Sequence, residues 1–443
     1  MEYSGGYLRQ RQCGLPYGCG AFINLAGNSD NSESNPGFER SMTKNMRIAI
    51  DLTSLADNFS GIERYAMSIA KELIDMDIKG KDTYILLFKR KVHPAFQSYK
   101  GRKNIIFKVW EGQNKLLFAQ VLLPFHLYGI KADVFLFLAF QSPILFRHKG
   151  IYNMIPDLVC WDCPETMKKH MEWYFKLSIW NALWVSKGII TISKFTRRRI
   201  IEKLHYPKEK LTVAYCGISQ VFMDYVKQQP DSKDTDVAGK EEMLRNRSLD
   251  VRHKYHLPEQ YLLCLATLEP RKNLPFLVEA YLELLKEGKL DIPLVLAGRK
   301  GWKMDEFLEK VENEHKRKII VTGFIDDEDL PYVYHMADCF IFPSIYEGFG
   351  MPPLEAMAVG TMSISSDAAS LPEVLGKAAS YFHLGNKEEL KEKMCQGIRQ
   401  ECDDVTVEEI RKRVEKFQWR KSAKKIYREI SSCKHDKNNL RKG

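Results

Sequence analysis

The chain lacks a long hydrophobic run. Segments such as VFLFLAF (134–140) fall far short of the ~18 uncharged apolar residues that a membrane-crossing helix needs. It also lacks a cysteine pattern: the ten cysteines show no repeating spacing, and the close pair Cys160 and Cys163 has no second pair to complete a zinc site. Buried or idle thiols in a reducing compartment are the expectation. No basic-then-apolar order opens the chain, so it does not begin like a secretory signal peptide. No aromatic-interleaved recognition motif accompanies the lysines and arginines, which places nucleic acid last among partners.

What is present is an ordinary globular composition, long enough at 443 residues for two domains, with a net charge of +10. Part of that excess gathers in the first half, at Lys79, Lys81, Lys89, Arg90, Lys91, Lys100, Arg102 and Lys103, and again at Arg197, Arg198 and Arg199. A solvated basic face is one reading, and attraction to an anionic membrane leaflet or an acidic substrate is the other. Residues 1–45 are rich in Gly, Ser and Asn, without helical or alternating pattern, and read as a disordered extension. Met42 and Met46 are then alternative starts.

Order begins at MRIAIDLTSL. Ile48, Ile50 and Leu52 suit a first buried parallel strand, DNFSGIERY a polar loop, and 65–73 an amphipathic helix. Strand, glycine-bearing loop and helix make a Rossmann-type opening unit, with Gly61 in the loop at a strand's carboxyl end. The alternation continues through TYILLF, NIIFKVW, ADVFLFL, GIYNMI and GIITIS, predicting a doubly wound α/β domain over 46–225. The hydrophilic stretch 226–258 has few aliphatics and reads as a linker region. The rhythm restarts with strands in 261–268, 292–298, 318–324 and 338–344 and helices near 275–287, 304–314 and 328–336. A second Rossmann-like domain over 259–415 is expected, followed by a last helix and basic tail over 416–443. Two such domains facing across a cleft suit a ligand that bridges them.

Polar residues cluster at the predicted strand ends. LEPRKN puts Arg271 and Lys272 ahead of a helix, where cations can clamp a diphosphate or lie solvated in a loop. VTGF leaves Gly323 and Phe324 at the same edge, with Phe324 either packed or against a nucleobase. In YEGFGMPPLEAMAVG, Gly348 and Gly350 let backbone approach a ligand, and the doublet Pro352–Pro353 marks a helix start whose dipole favours an anion before Met351. Glu347 and Glu355 have no obvious local cation, so both read as acceptors for hydroxyls of a sugar and a ribose beside that anion.

Over 261–373 the ordered motifs TLEPRKN, LVLAG, VTGF, EGFGMPPLEAMAVG and SSDAASLPEV resemble the donor domain of retaining GT-B fold glycosyltransferases of family 4, group 1, with mannosyltransferase-like wording. The glutamates match that family's E-x7-E motif. GIERY, ITISKFTRRRI and FQWRKSA (417–423) extend the resemblance more weakly; the last resembles the segment from which the family's final helix crosses back onto the first domain. The resemblance implies a two-domain GT-B fold, with the acceptor domain first. It implies a hexosyltransferase, with mannose favoured, that uses a nucleotide-diphosphate sugar, needs no cofactor or metal, and acts on a glycan or lipid-linked acceptor in polysaccharide or lipopolysaccharide biosynthesis. A cytoplasmic location, peripheral at the inner face of the membrane, goes with it.

By position, Lys272 with Arg271 would neutralise the donor diphosphate. Glu347 and the backbone of Gly348, Phe349, Gly350 and Met351 would hold the transferred sugar, and Glu355 the ribose. Gly61, Thr267, Gly323 and Phe324 would complete the donor pocket. The sequence departs from the family at Pro156, in PDL where relatives carry His-Asp-Leu, and at Glu63, Ala266, Thr267 and Met362. The missing histidine keeps open a catalytically impaired GT-B binding or scaffold protein. A sugar-nucleotide epimerase on the same fold is the remaining alternative.

Overall fold

The computed structural model describes residues 45–55, 61–112, 117–139, 142–230, 236–399 and 407–432. The expected disordered extension, apart from Asn45, and the basic tail beyond 432 lie outside the described residues.

Two all-parallel sheets carry the fold. The first has the order β3-β2-β1-β4-β5-β6-β7, with β1 Arg47–Asp51, β2 Thr83–Lys89, β3 Ile105–Trp110, β4 Val134–Phe137, β5 Ile151–Ile155, β6 Gly188–Thr191 and β7 Leu211–Val213. The second has the order β10-β9-β8-β11-β12-β13, with β8 Leu262–Leu265, β9 Leu294–Ala297, β10 Ile319–Gly323, β11 Cys339–Phe342, β12 Ser363–Ser366 and β13 Ser380–Phe382. Every residue of β4, β5, β9 and β11 is buried. Helices cover both faces, which is why these strands read as continuous apolar runs rather than alternating ones. This is the two-domain Rossmann-like architecture expected from the sequence.

The helices that matter for function are α1 (Gly61–Met76), α2 (Leu123–Tyr128), α3 (Lys169–Val185), α4 (Lys194–Leu204), α5 (Val237–Lys254), α6 (Leu274–Lys286), α7 (Met351–Ala358) and α8 (Trp419–Ser432). Two differ from the sequence reading. Helix α1 starts at Gly61, so GIERY belongs to its first turns and not to a loop; Tyr65, Ala66, Ile69, Ala70 and Leu73 then form its buried stripe.

The hydrophilic stretch before the second sheet contains helix α5, capped at its start by the Asp236 carboxylate accepting from the Gly239 amide at 3.0 Å. Few apolar side chains hold α5; Arg247 and Lys254 instead donate to the buried Asp329 at 2.6 and 2.7 Å. Its order comes from charges supplied eighty residues later, which no local pattern reveals.

Helix α8 lies against α1: the Trp419 and Tyr65 rings meet edge-on at 5.7 Å, and Tyr427 donates to Asp82 at 2.7 Å. One apolar cluster runs from the first sheet through Tyr65, Phe417 and Trp419 into Phe349 and Leu354 of the second domain.

Candidate functional site

Strand order reverses in the second sheet between β8 and β11, which pair directly. At such a switch point the connections leave toward opposite faces and open a crevice at the strands' carboxyl ends. The segment after β8 holds a short helical turn, Pro270–Lys272, and the segment after β11 holds Glu347. The two therefore meet. Lys272 Nζ donates to Glu347 Oε1 at 2.5 Å, and Arg271 Nη1 donates to Glu347 Oε2 at 2.9 Å and to the Tyr346 carbonyl at 2.8 Å. Arg271 also holds Glu269 Oε1 through Nε and Nη2, at 3.0 and 2.7 Å.

The cluster is buried: Lys272 and Glu347 are each 7% exposed. Burial opposes ionisation of Glu347, but Arg271 and Lys272 outweigh it and hold the carboxylate down at about 2. Burial pushes the Lys272 ammonium down as well, opposed by Glu347. Glu347, which has no obvious local cation in the sequence, thus finds two within the chain. Its partners stand about 75 residues upstream, out of reach of any local reading.

The turn that follows needs its glycines for a steric reason. A Cβ on Gly348 would stand 2.4 Å from the Pro156 carbonyl oxygen, and one on Gly350, at φ +102°, would stand 2.5 Å from Leu371 Cδ2. Gly348 is thus where the second domain's backbone touches the first domain's. Pro156 presents its carbonyl there and also accepts from Thr196 Oγ1 at 2.9 Å. Beside it Asp157 is raised by burial, with Arg271 opposing.

Helix α7 begins immediately after Gly350, with Pro352 and Pro353 in its first turn. Buried Glu355 on α7 accepts from Arg64 Nη1 of α1 at 3.0 Å, while Arg64 Nη2 holds Asp327 at 2.7 Å. Burial pushes Glu355 up and Arg64 opposes it. The sequence reading passed over Arg64 as part of GIERY. The available signal was an arginine in a helix's first turn, where the dipole disfavours a cation unless an anion comes from elsewhere.

A further cross-domain contact was also missed. Glu373, from the SLPEV motif, accepts from the backbone amides of Lys194 and Phe195, both at 2.8 Å, at the start of α4. A carboxylate here satisfies two unpaired amides and the positive end of the helix.

Gly61 lies across from Met351, whose Cε would be 3.7 Å from an added Cβ, and Thr267 is exposed beyond β8. Gly323, with φ +74°, closes β10, and Phe324 sits beneath the Arg299 guanidinium at 4.6 Å, two strands away from the Lys272 cluster. Phe349 is 3% exposed and packs on Phe417 and Tyr215, so only its backbone borders the crevice. Cys160 and Cys163 are free thiols, pushed up by burial to about 12 and about 11.

Residues 249–417 match the family described as glycosyl transferases group 1. The chain is 37% identical over 224 residues to O-antigen chain mannosyltransferase B of Escherichia coli, covering 50% of this chain and 54% of that protein. It is 36% identical over 159 residues to the serotype-specific mannosyltransferase WbdA of Escherichia coli, covering 35% of this chain and 20% of that protein. The chain thus spans about half, or less, of the length of these curated relatives. Two solved structures share its fold at 15% identity. Anabaena Alr3699/HepE in complex with UDP and glucose has a TM-score of 0.63, covering 87% of this chain and 100% of that one. WaaG, a glycosyltransferase involved in lipopolysaccharide biosynthesis, has a TM-score of 0.62, covering 86% of this chain and 99% of that one. With both sheets and the β8–β11 crevice in place, the chain has the GT-B fold, and residues 249–417 within its second half are similar to the glycosyl transferases group 1 family.

Proposed function

We propose that this chain is a retaining hexosyltransferase that moves mannose from a nucleotide-diphosphate sugar to a glycan or lipid-linked acceptor in surface polysaccharide biosynthesis. The observation that carries the reading is the buried Lys272–Glu347–Arg271 cluster at the β8–β11 switch point, directly before the start of α7. The names of the curated relatives support mannose and polysaccharide synthesis, and the UDP-bound structure of similar fold supports a nucleotide donor.

In the free protein Glu347 pairs with both cations, and Glu269 supplies the second negative charge to Arg271. A donor diphosphate entering the crevice offers Lys272 and Arg271 a second anion and lies at the positive end of α7. These groups supply the charge a metal would otherwise bring. Glu347 then has lone pairs to accept from hydroxyls of the transferred sugar, and Glu355 can accept from the ribose. Transfer at one face breaks the bond from the anomeric carbon to the diphosphate oxygen and forms the bond to the acceptor oxygen. The departing phosphate oxygen takes the acceptor's proton, and the protein contributes positioning and charge stabilisation. A cytoplasmic protein held peripherally at an anionic membrane fits a lipid-linked acceptor.

The test is turnover by purified protein against GDP-, UDP- and ADP-sugars with a soluble acceptor, beside Lys272→Met. The variant should lose about 100-fold in transfer, on the scale of deleting one preorganised charge contact. Full activity of Lys272→Met overturns the clamp. Nucleotide binding without turnover of any donor overturns the enzyme in favour of a binding protein.

A further inference from the structure

Two neighbouring helices on one face of the first sheet turn apolar side chains outward. On α3 the outward residues after the first turn are Trp173, Leu177, Trp180 and Trp184, which are 71%, 56%, 52% and 76% exposed. Their spacing of four, three and four residues puts them on one stripe. The opposite side of α3 is buried and carries Ser178 and Asn181 among its apolar residues. Helix α2 and the π-helical turn before it repeat the arrangement, with Val121, Leu122, Phe125 and Tyr128 exposed and Phe118, Leu123 and Leu127 buried.

The two stripes are continuous. Gln120 Nε2 donates to Tyr174 Oη at 3.1 Å between the helices, and the Arg147 guanidinium lies 4.8 Å over the Trp184 ring while its backbone amide donates to Tyr128 Oη at 3.1 Å. Among the described residues, nothing is recorded as covering this face. A surface helix ordinarily presents charge on this side, so an outward stripe of tryptophans marks a surface that meets something apolar.

Charge indicates what that is. Lys168, Lys169, Arg147 and Lys149 stand exposed around the aromatic face. The sole carboxylate on α2 and α3 is Glu172, already held by Lys176 at 2.5 Å. Tryptophan and tyrosine rings with a basic border match the headgroup level of an anionic leaflet, where rings bury their bodies and keep their polar tips wet. Among the described residues no helix is long and apolar enough to cross a membrane. Of the basic runs of the sequence, Lys89 borders this surface, its ammonium 5.9 Å over the Phe118 ring, but most of the rest lies elsewhere. Lys79 lies before β2, Arg102 and Lys103 lie before β3, and Arg199 is engaged by Asp162.

We propose that the outward faces of α2 and α3 dock this protein on an anionic lipid bilayer, with the aromatic side chains in the interfacial layer. The segment leading into α3 is also where the second domain touches the first, with Lys303 Nζ donating to the Glu165 and Met167 carbonyls at 2.9 Å. The docked face therefore ends at the mouth of the cleft, where an acceptor carried in the leaflet would enter. This deepens the membrane part of the proposed function and rests on that reading for the acceptor alone.

The experiment is co-sedimentation of the full chain with phosphatidylcholine vesicles containing about one third phosphatidylglycerol, at low salt and at roughly 0.5 M NaCl. The proteins compared are wild type, Trp180→Ser/Trp184→Ser, Phe125→Glu and Arg102→Glu/Lys103→Glu. Each aromatic-face variant should lose about tenfold in vesicle partition, and the basic-run variant less than about twofold. Vesicles brominated in the acyl chains should quench the wild-type tryptophan emission, a readout that depends on no variant folding. Absence of quenching, or vesicle binding by Phe125→Glu equal to wild type, overturns the proposal. So does a wild-type dimer that Phe125→Glu makes monomeric without change in vesicle binding, since the face is then an interface between copies. Transfer to a soluble acceptor separates the two readings: vesicle binding without turnover leaves the docking face standing and removes the transferase.

Discussion

Glu347 holds two cations in a place where water cannot screen them, and this makes its protonation a stability term. Its folded value of about 2 lies below the ordinary 4.5. A carboxylate depressed on folding contributes stability that is fully present above the unfolded value and disappears as pH falls through the folded one. The window is therefore from about 4.5 down to about 2, and the gap corresponds to about 3 kcal/mol. Glu347→Gln should flatten the pH dependence of the unfolding midpoint in this window. At neutral pH it should cost about 3 kcal/mol, because Lys272 is left buried without its counter-charge. Midpoints of wild type and variant that fall in parallel between pH 6 and pH 3 would show that Glu347 is not held as the geometry indicates. The residue types at this site were legible at the strand ends. Their mutual pairing was not, because the partners come from different strands.

Among the elements, the β11–α7 connection shows how backbone shape sets function. The glycine turn lets the second domain approach the Pro156 carbonyl, and the start of α7 then faces the crevice. Gly348→Ala places a methyl where no atom fits while leaving both sheets untouched. We expect circular dichroism and the folded content of each domain to persist, with kcat/KM for transfer falling at least about tenfold as the cleft is wedged apart. Unaltered transfer would mean the contact opens during turnover. Strands β1, β2, β4 to β6, β8, β9 and β11 were readable because parallel strands buried on both faces require continuous apolar runs, and the less buried edge strands β3 and β10 because β-branched and aromatic runs mark them. Helix α5 was not, since Leu244 and Val251 are its only buried residues and ion pairs to Asp326 and Asp329 do the rest.

For the whole molecule, polar links join the two domains at several points: Tyr346 Oη donates to Asp162 at 3.0 Å, Trp302 Nε1 to the Thr166 carbonyl at 2.7 Å, and Lys303 Nζ to the Glu165 and Met167 carbonyls at 2.9 Å. Arg64 reaches Glu355 and Asp327 from one side, and Glu373 reaches the start of α4 from the other. Removing a partner from one such link should cost about 2 kcal/mol of closure. The double variant Arg64→Ala/Glu373→Ala should therefore show a larger radius of gyration by small-angle X-ray scattering than wild type, without a change in secondary structure. An unchanged radius would assign closure to the Tyr346, Trp302 and Lys303 links and the apolar cluster around Phe349, Phe417 and Trp419 instead.

The succession of strands along the chain and the glycine turn with its helix start after β11 follow from patterns a few residues long, since burial on two faces, helix starts and tight turns each impose a local spacing. Which carboxylate meets which cation, whether 226–258 is helical, and where tryptophans face outward depend on segments distant in sequence. YEGFGMPPLEAMAVG reads alone as two unpaired glutamates around a glycine turn. Folded, one glutamate is clamped by Lys272 and Arg271 and the other by Arg64 of the opposite domain. Local spacing sets the element, but a buried charge takes its partner from whatever element the fold packs beside it.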